Sequence, residues 1–146
     1  VGARLYFSDN TIQHAGIDLV GLINKNNQFG LKIGHVGFRG EYGYPPEDVV
    51  DTIGNTAALQ MISKELFFDL GCFPEYYVDS LSDVEFNLKC MLMGKKNCFA
   101  HNAVAYHFES QTRGVDGQIK QEDYVRAVDY VKSNNKLLNK IKLMNI

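Results

Sequence analysis

Residues 79–94 read Asp-Ser-Leu-Ser-Asp-Val-Glu-Phe-Asn-Leu-Lys-Cys-Met-Leu-Met-Gly. The stretch reads as a helix with both ends marked. Ser82 followed three residues later by Glu85 has the form of a capping box. In that motif the hydroxyl accepts from the third helical amide and the carboxylate reaches back to the amide of the cap. Val84, Leu88, Met91 and Leu92 then recur at helical spacing, and Gly94 supplies a left-handed stop. Asp83 falls in the first turn, where exposed amides and the helix dipole favour a carboxylate. Taken alone, Asp83 is a good first-turn residue and nothing more.

Upstream of this helix, Cys72 to Val78 is an aromatic loop containing Pro74, and Ser63 caps a short helix that runs through Leu70 and closes at Gly71. Asn55 to Ile62 is small and apolar, and Val49 to Ile53 reads as a strand. From Lys32 to Tyr44 glycine falls at 34, 37, 40 and 43, interleaved with Phe38, Tyr42 and Tyr44. Such a stretch bends readily and serves as a site cover or as a plain surface loop. Leu19 to Leu31, with three asparagines and two glycines, is expected to include a poorly ordered loop. Val1 to Phe7 is a strand, Ser8-Asp9-Asn10 a turn, and Thr11 to Asp18 a returning strand.

Downstream, Asn97 to Ala100 and Ala103 to Phe108 are strands, the second with Val104, Tyr106 and Phe108 on one face. Glu109 to Gly117 is a polar, glycine-bearing loop. A long helical pattern from Lys120 to Leu143 is divided at Asn134-Asn135, and the run from Lys120 to Ile146 reads only as helix. Strands mixed with helices point to an α/β or α+β layered fold.

The 146 residues suffice for one domain with a real core, and 45% hydrophobic with 22% charged residues is an ordinary soluble composition. A formal charge of -2 gives no electrostatic reason to expect nucleic acid or an anionic membrane. No apolar run approaches the roughly 18 residues that a membrane span needs. Cys72, Cys90 and Cys98 fit no zinc spacing. A reduced, cytoplasmic setting follows, with peripheral contact at the inner membrane face left open. The chain opens on Val rather than Met, so a piece of something longer is expected.

Several segments, in order, resemble the C-terminal half of a family 2 glycosyltransferase of the GT-A fold. Val1-Gly2-Ala3-Arg4-Leu5 and Gln13-His14-Ala15-Gly16 are similar to the family's Val-Gly-x-x-Leu strand and Gln-His-Ala-Gly segment. Asn55-Thr56-Ala57-Ala58 with the helix from Ser63 to Leu70 is similar to its small-residue strand and short helix. Gly71-Cys72-Phe73-Pro74-Glu75 partly matches a Gly-Gly-Phe-Asp-Glu loop. Ser82-Asp83-Val84-Glu85 through Gly94 resembles its helix-opening acidic motif, and Tyr106-His107-Phe108-Glu109-Ser110, continued by Thr112-Arg113-Gly114, its late strand end. The likeness covers about residues 1–115.

The resemblance implies an α/β fold with a mixed sheet flanked by helices, the nucleotide-binding half lying upstream of Val1. Residues 1–117 would form the partial domain and residues 118–146 a C-terminal helical segment. The implied reaction is inverting transfer of a sugar from a nucleotide-diphosphate donor to a carbohydrate acceptor hydroxyl, in bacterial surface polysaccharide synthesis. Asp83 would be the base, His107 would lie at a divalent metal (Mg or Mn), and Arg113 would reach the phosphates. Asn55, Thr56 and Ala57 would line the acceptor side, with Phe73, Tyr76 and Tyr77 as possible sugar platforms. Three features depart from the family. Ser82 replaces its first acidic residue, Cys72 and Pro74 alter the acceptor loop, and no Asp-x-Asp follows a nucleotide-binding unit. The chain alone is therefore expected not to turn over a donor, and its exposed half-sheet is expected to self-associate.

Plainer readings stand beside these. Asp83 and Glu85 can serve only as helix-start residues, and His107 can be a strand-end histidine in an ordinary hydrogen bond. His14 reads as structural, bonding near Gly16, and neither His35 nor His101 has neighbours suggesting ligation. The whole can be a non-catalytic carbohydrate-binding or protein-interaction module built on the same fold.

Overall fold

A computed structural model describes residues 1–40, 47–108 and 118–146. The described residues form a mixed α/β fold with two sheets and four helices. The four-stranded sheet has the order β2-β1-β6-β5, with β1 at Gly2–Tyr6, β2 at Ile12–His14, β5 at Val49–Thr52 and β6 at Asn97–Tyr106. β1 runs parallel to β6, while β2 and β5 are antiparallel to their neighbours. The three-stranded sheet has the order β4-β3-β7, with β3 at Ile17–Ile23, β4 at Phe29–His35 and β7 at Lys142–Asn145. β3 is antiparallel to β4 and parallel to β7.

Several stretches differ from the sequence expectation: Thr11 to Asp18 is divided between β2 and β3, which lie in different sheets, and Asn97 to Tyr106 is one strand rather than two. Residues 19–31 are not a loose loop but most of the β3–β4 hairpin. The asparagines gather at its tip, where Asn24 Oδ1 accepts from the amides of Asn26 and Gln28, both at 2.9 Å. Asn27 takes a left-handed φ of 60°, as short polar side chains tolerate. Buried Ile17, Leu19, Val20 and Leu31 hold the hairpin on the core. The C-terminal run also does not stay helical. Helix α3 (Gln121–Lys132) and the single turn α4 (Asn135–Leu138) are followed by β7. The division falls at the Asn pair, as expected.

Helix α1 (Lys64–Asp69) begins as expected, with Ser63 Oγ accepting from Leu66 N–H at 3.2 Å. Helix α2 (Ser82–Leu92) does not use its capping box. The cap position is Leu81, in a left-handed conformation (φ 70°), and its carbonyl accepts from Glu85 N–H at 3.1 Å. A one-residue shift turns Glu85 about 100° around the helix, away from the cap and into the interior. Its C-terminal end follows expectation, Gly94 having a φ of 73°.

A left-handed leucine is costly on its own, and the surroundings hold it. Asp123 of α3 is fully buried. Its carboxylate accepts from Val78, Asp79 and Ser80 N–H at 2.8, 2.9 and 3.0 Å. Leu81 itself packs in the main core with Val84, Leu88, Val128, Val131 and Leu137. The C-terminal run thus shapes the entry to α2 and shares its core.

Candidate functional site

Asp83 stands at the start of α2, half-buried. Its Oδ2 accepts from Ala57 N–H at 2.9 Å and its Oδ1 from Val84 N–H at 2.8 Å. The structure therefore brings Asp83 together with the Asn55–Ala57 segment, which is irregular backbone rather than the expected strand. Three asparagines explain how an irregular segment is held. Asn87, one helical turn after Asp83, donates to Asn55 O and Asp83 O at 2.8 and 2.7 Å. Asn97 donates to Ile53 O and Asn87 O at 2.8 and 2.9 Å, and Asn55 Nδ2 donates to Cys98 O at 3.0 Å. Two of these bonds satisfy carbonyls of the irregular segment, Ile53 O and Asn55 O, and the others tie it to α2 and β6. The approach is close enough that a Cβ on Gly2 would lie 2.1 Å from Asn55 Oδ1.

His107 follows β6, with its N–H donating to Tyr6 O at 3.0 Å. Gln13 Nε2 donates to the His107 carbonyl at 3.2 Å, and His107 Nδ1 lies 2.8 Å from Gln13 Oε1. An amide oxygen only accepts, so Nδ1 carries the proton and Nε2 of the neutral ring is bare. Asp83 and His107 share no hydrogen bond. They are linked through β2, where Gln13 holds His107 while the next residue, His14, takes Thr56 N–H on Nε2 at 3.3 Å. Arg113 lies outside the described residues, as do Glu109 to Gly117, Tyr42 and Tyr44.

Of the aromatic candidates, Tyr77 is buried in the main core and Phe73 packs on Phe67 and Phe86. Tyr76 keeps an exposed ring. Its hydroxyl donates to Glu85 Oε1, and Tyr77 OH donates to Glu85 Oε2 at 3.0 Å. Lys89 Nζ pairs with the same carboxylate at 3.0 Å. Burial and then the Glu85 charge raise the Tyr130 phenol to about 12. Glu85 is thus a buried acceptor that ties the aromatic loop to α2, a role hidden by its cap-like spacing. Asp123, Asn97 and the contact of His14 with His35 also lay beyond sequence reasoning, because their partners are distant in the chain. Asn87, at i+4 from Asp83 on a helix, carried a local signal.

Among the described residues no cluster of three or more histidine, cysteine or acidic side chains is placed to hold a metal ion. None of their helices is long and apolar enough to cross a membrane.

Comparison with known proteins finds two distant likenesses. The chain is 33% identical over 143 residues to the uncharacterized protein y4gI of Sinorhizobium fredii, a match taking in 90% of this chain and 14% of that protein. It is 28% identical over 136 residues to the O-antigen biosynthesis protein RfbC of Myxococcus xanthus, covering 85% of this chain and 10% of that protein. The chain therefore spans a small fraction of the length of either relative. No protein-family model matches it, and no solved structure does.

Proposed function

We propose that this chain supplies the acceptor side and the general base of an inverting glycosyltransferase of the GT-A type, acting in bacterial surface polysaccharide synthesis. The observation that carries the reading is the Asp83 carboxylate held at a helix start against the Asn55–Ala57 segment. Similarity to a protein named for O-antigen biosynthesis supports it. The two amide bonds use about half of the roughly four lone-pair positions of a carboxylate, leaving room for an acceptor hydroxyl. That hydroxyl oxygen attacks the anomeric carbon while the bond to the diphosphate oxygen breaks. The hydroxyl proton passes to Asp83, and a nucleoside diphosphate leaves.

The nucleotide-sugar donor would be gripped by polypeptide other than the residues described. Among the described residues, Nε2 of His107 would be the ligand offered to a divalent metal, its other nitrogen being oriented by Gln13 in the manner of a ligating imidazole. When bound, Mg or Mn would supply Lewis-acid stabilisation of the departing diphosphate. Arg113 is retained as a phosphate contact on sequence grounds alone. Self-association, on the same reading, would start at exposed Val104, Tyr106 and Phe108.

The test is Asp83→Asn in the full natural polypeptide, following donor-dependent transfer to an oligosaccharide acceptor. Asn can still accept the Ala57 amide, so the fold is kept while transfer falls by at least ~100-fold. Unchanged transfer removes Asp83 as the base. The second reading, a binding module without catalysis, is favoured by one observation: both Asp83 bonds are also those of a structural clamp. It predicts binding of saccharides with no donor consumption in the wild type.

A further inference from the structure

His14 is completely buried, sits on β2 and has its ring against Thr56 N–H, His35, Phe99 and the Asn55 side chain. A backbone amide only donates, so Thr56 N–H at 3.3 Å requires His14 Nε2 to be bare. The neutral ring then carries its proton on Nδ1. That atom lies 2.6 Å from Nδ1 of His35, with the rings at 78°. His14 must donate there, His35 Nδ1 must accept, and the His35 proton of the neutral pair belongs on Nε2. Two imidazoles and one amide thus form a directed chain, from Thr56 to His14 and from His14 to His35.

The members of the chain differ in access. His35 is exposed at the end of β4. Thr56 precedes Ala57, whose amide anchors Asp83.

We propose, on the reading of Asp83 as the base, that His14 is a positioning residue for transfer. It sets the Thr56–Ala57 backbone against which Asp83 is held, and His35 dictates the tautomer that lets it do so. His14 touches neither acceptor nor donor in this assignment; it acts through the Thr56 amide. His35→Phe removes the acceptor for His14 Nδ1–H and leaves that donor buried and unpaired, so the ring is no longer held in one orientation and its grip on Thr56 N–H weakens. His35→Gln restores an acceptor oxygen.

The test is ¹⁵N NMR of the histidine rings and of the Thr56 amide in the 146-residue chain, with both variants. His35 is exposed, so these changes spare the core. The expected result is a His14 ring protonated on Nδ1 in the wild type and in His35→Gln. In His35→Phe the expected result is loss of the single, fixed Nδ1–H signal of His14 with faster exchange of the Thr56 amide. A wild-type His14 protonated on Nε2, or a Thr56 amide indifferent to His35→Phe, overturns the proposal. In the full natural polypeptide, His35→Phe should lower kcat for transfer on the order of ten- to a hundred-fold, with His35→Gln close to wild type. Full activity in His35→Phe, with Asp83→Asn inactive, overturns the positioning role and leaves the base assignment intact. The NMR result expected above, together with absence of transfer in every form, instead overturns the base assignment and with it any role in transfer.

Discussion

Strands β3, β4 and β7 bury Ile17, Leu19, Val20 and Leu31 and no polar side chain, whereas β1, β2 and β6 bury Arg4, Gln13, His14, Asn97 and His101. Both sheets are mixed, so topology does not explain the contrast. An aliphatic face gains free energy from burial alone and tolerates variation in detail. A buried polar face must satisfy each donor and acceptor, so it specifies one arrangement at the risk of a large loss if one partner goes. The side of the molecule that carries the candidate site is built in the second way. Departures from a simple apolar core tend to gather where function is placed.

Substitutions can sharpen or break this contrast. The largest stability effect is expected on the aliphatic side. Leu137 is fully buried in the core that β3 and β4 share with α2 and α3, and Leu137→Ala should cost about 2–5 kcal/mol in urea unfolding. The Thr56 amide and the His14 tautomer should not change in the fraction that remains folded. A shifted Thr56 signal would mean the two sides are not separable.

Asp123 comes next. Burial opposes its charge, but the amides of Val78, Ser80 and Asp79 and the Arg126 guanidinium hold its carboxyl below the usual range. Asp123→Ala leaves three amides without their acceptor and should cost about 3 kcal/mol. It should also free Leu81 from its left-handed turn, seen as rapid hydrogen exchange at residues 78–80. A stability loss without that local exchange would mean that the loop is held by other contacts.

The last effect is graded with pH and belongs to the polar side. Burial first, and the neighbouring His35 second, lower the His14 pKa from 6.5 to about 3. The unfolded chain takes up a proton near pH 6.5 that the folded chain refuses until about pH 3. His14 therefore adds stability above pH 6.5 that is lost as pH falls through this window, by up to ~1.4 kcal/mol per pH unit. Unfolding free energies of wild type and His14→Gln between pH 7 and 4 should converge as acid is added. Parallel curves would show that His14 is protonated inside the fold.

The local grammar of the chain was largely readable. Ser63 caps α1, Gly94 ends α2, and β1 and β5 lie within the stretches that read as strands, because each of these depends on neighbours within a few residues. What sequence misread depended on distant partners. Ser82 and Glu85 have the spacing of a capping box, but Asp123, some 40 residues on, fixes a different entry to the helix. The β3–β4 hairpin was hidden by asparagines that serve only its tip. β7 was hidden because its exposed side chains carry no pattern and its pairing with β3 is long-range. For the site, Asp83 and the Asn55–Ala57 segment meet through the Ala57 amide. The bond of His14 to His35 has no local signature, since only the fold brings a strand end and a hairpin end together.

Tyr124, on the third helix, bears on assembly. Its hydroxyl accepts from Leu31 N–H at 2.9 Å and donates to Leu31 O at 3.1 Å, filling both outward valences of one rung on β4. An incoming strand would have to displace that phenol before it could register there. Growth of the three-stranded sheet by fibril-like stacking or donor-strand exchange is thereby steered to its opposite margin, the short segment Lys142–Asn145.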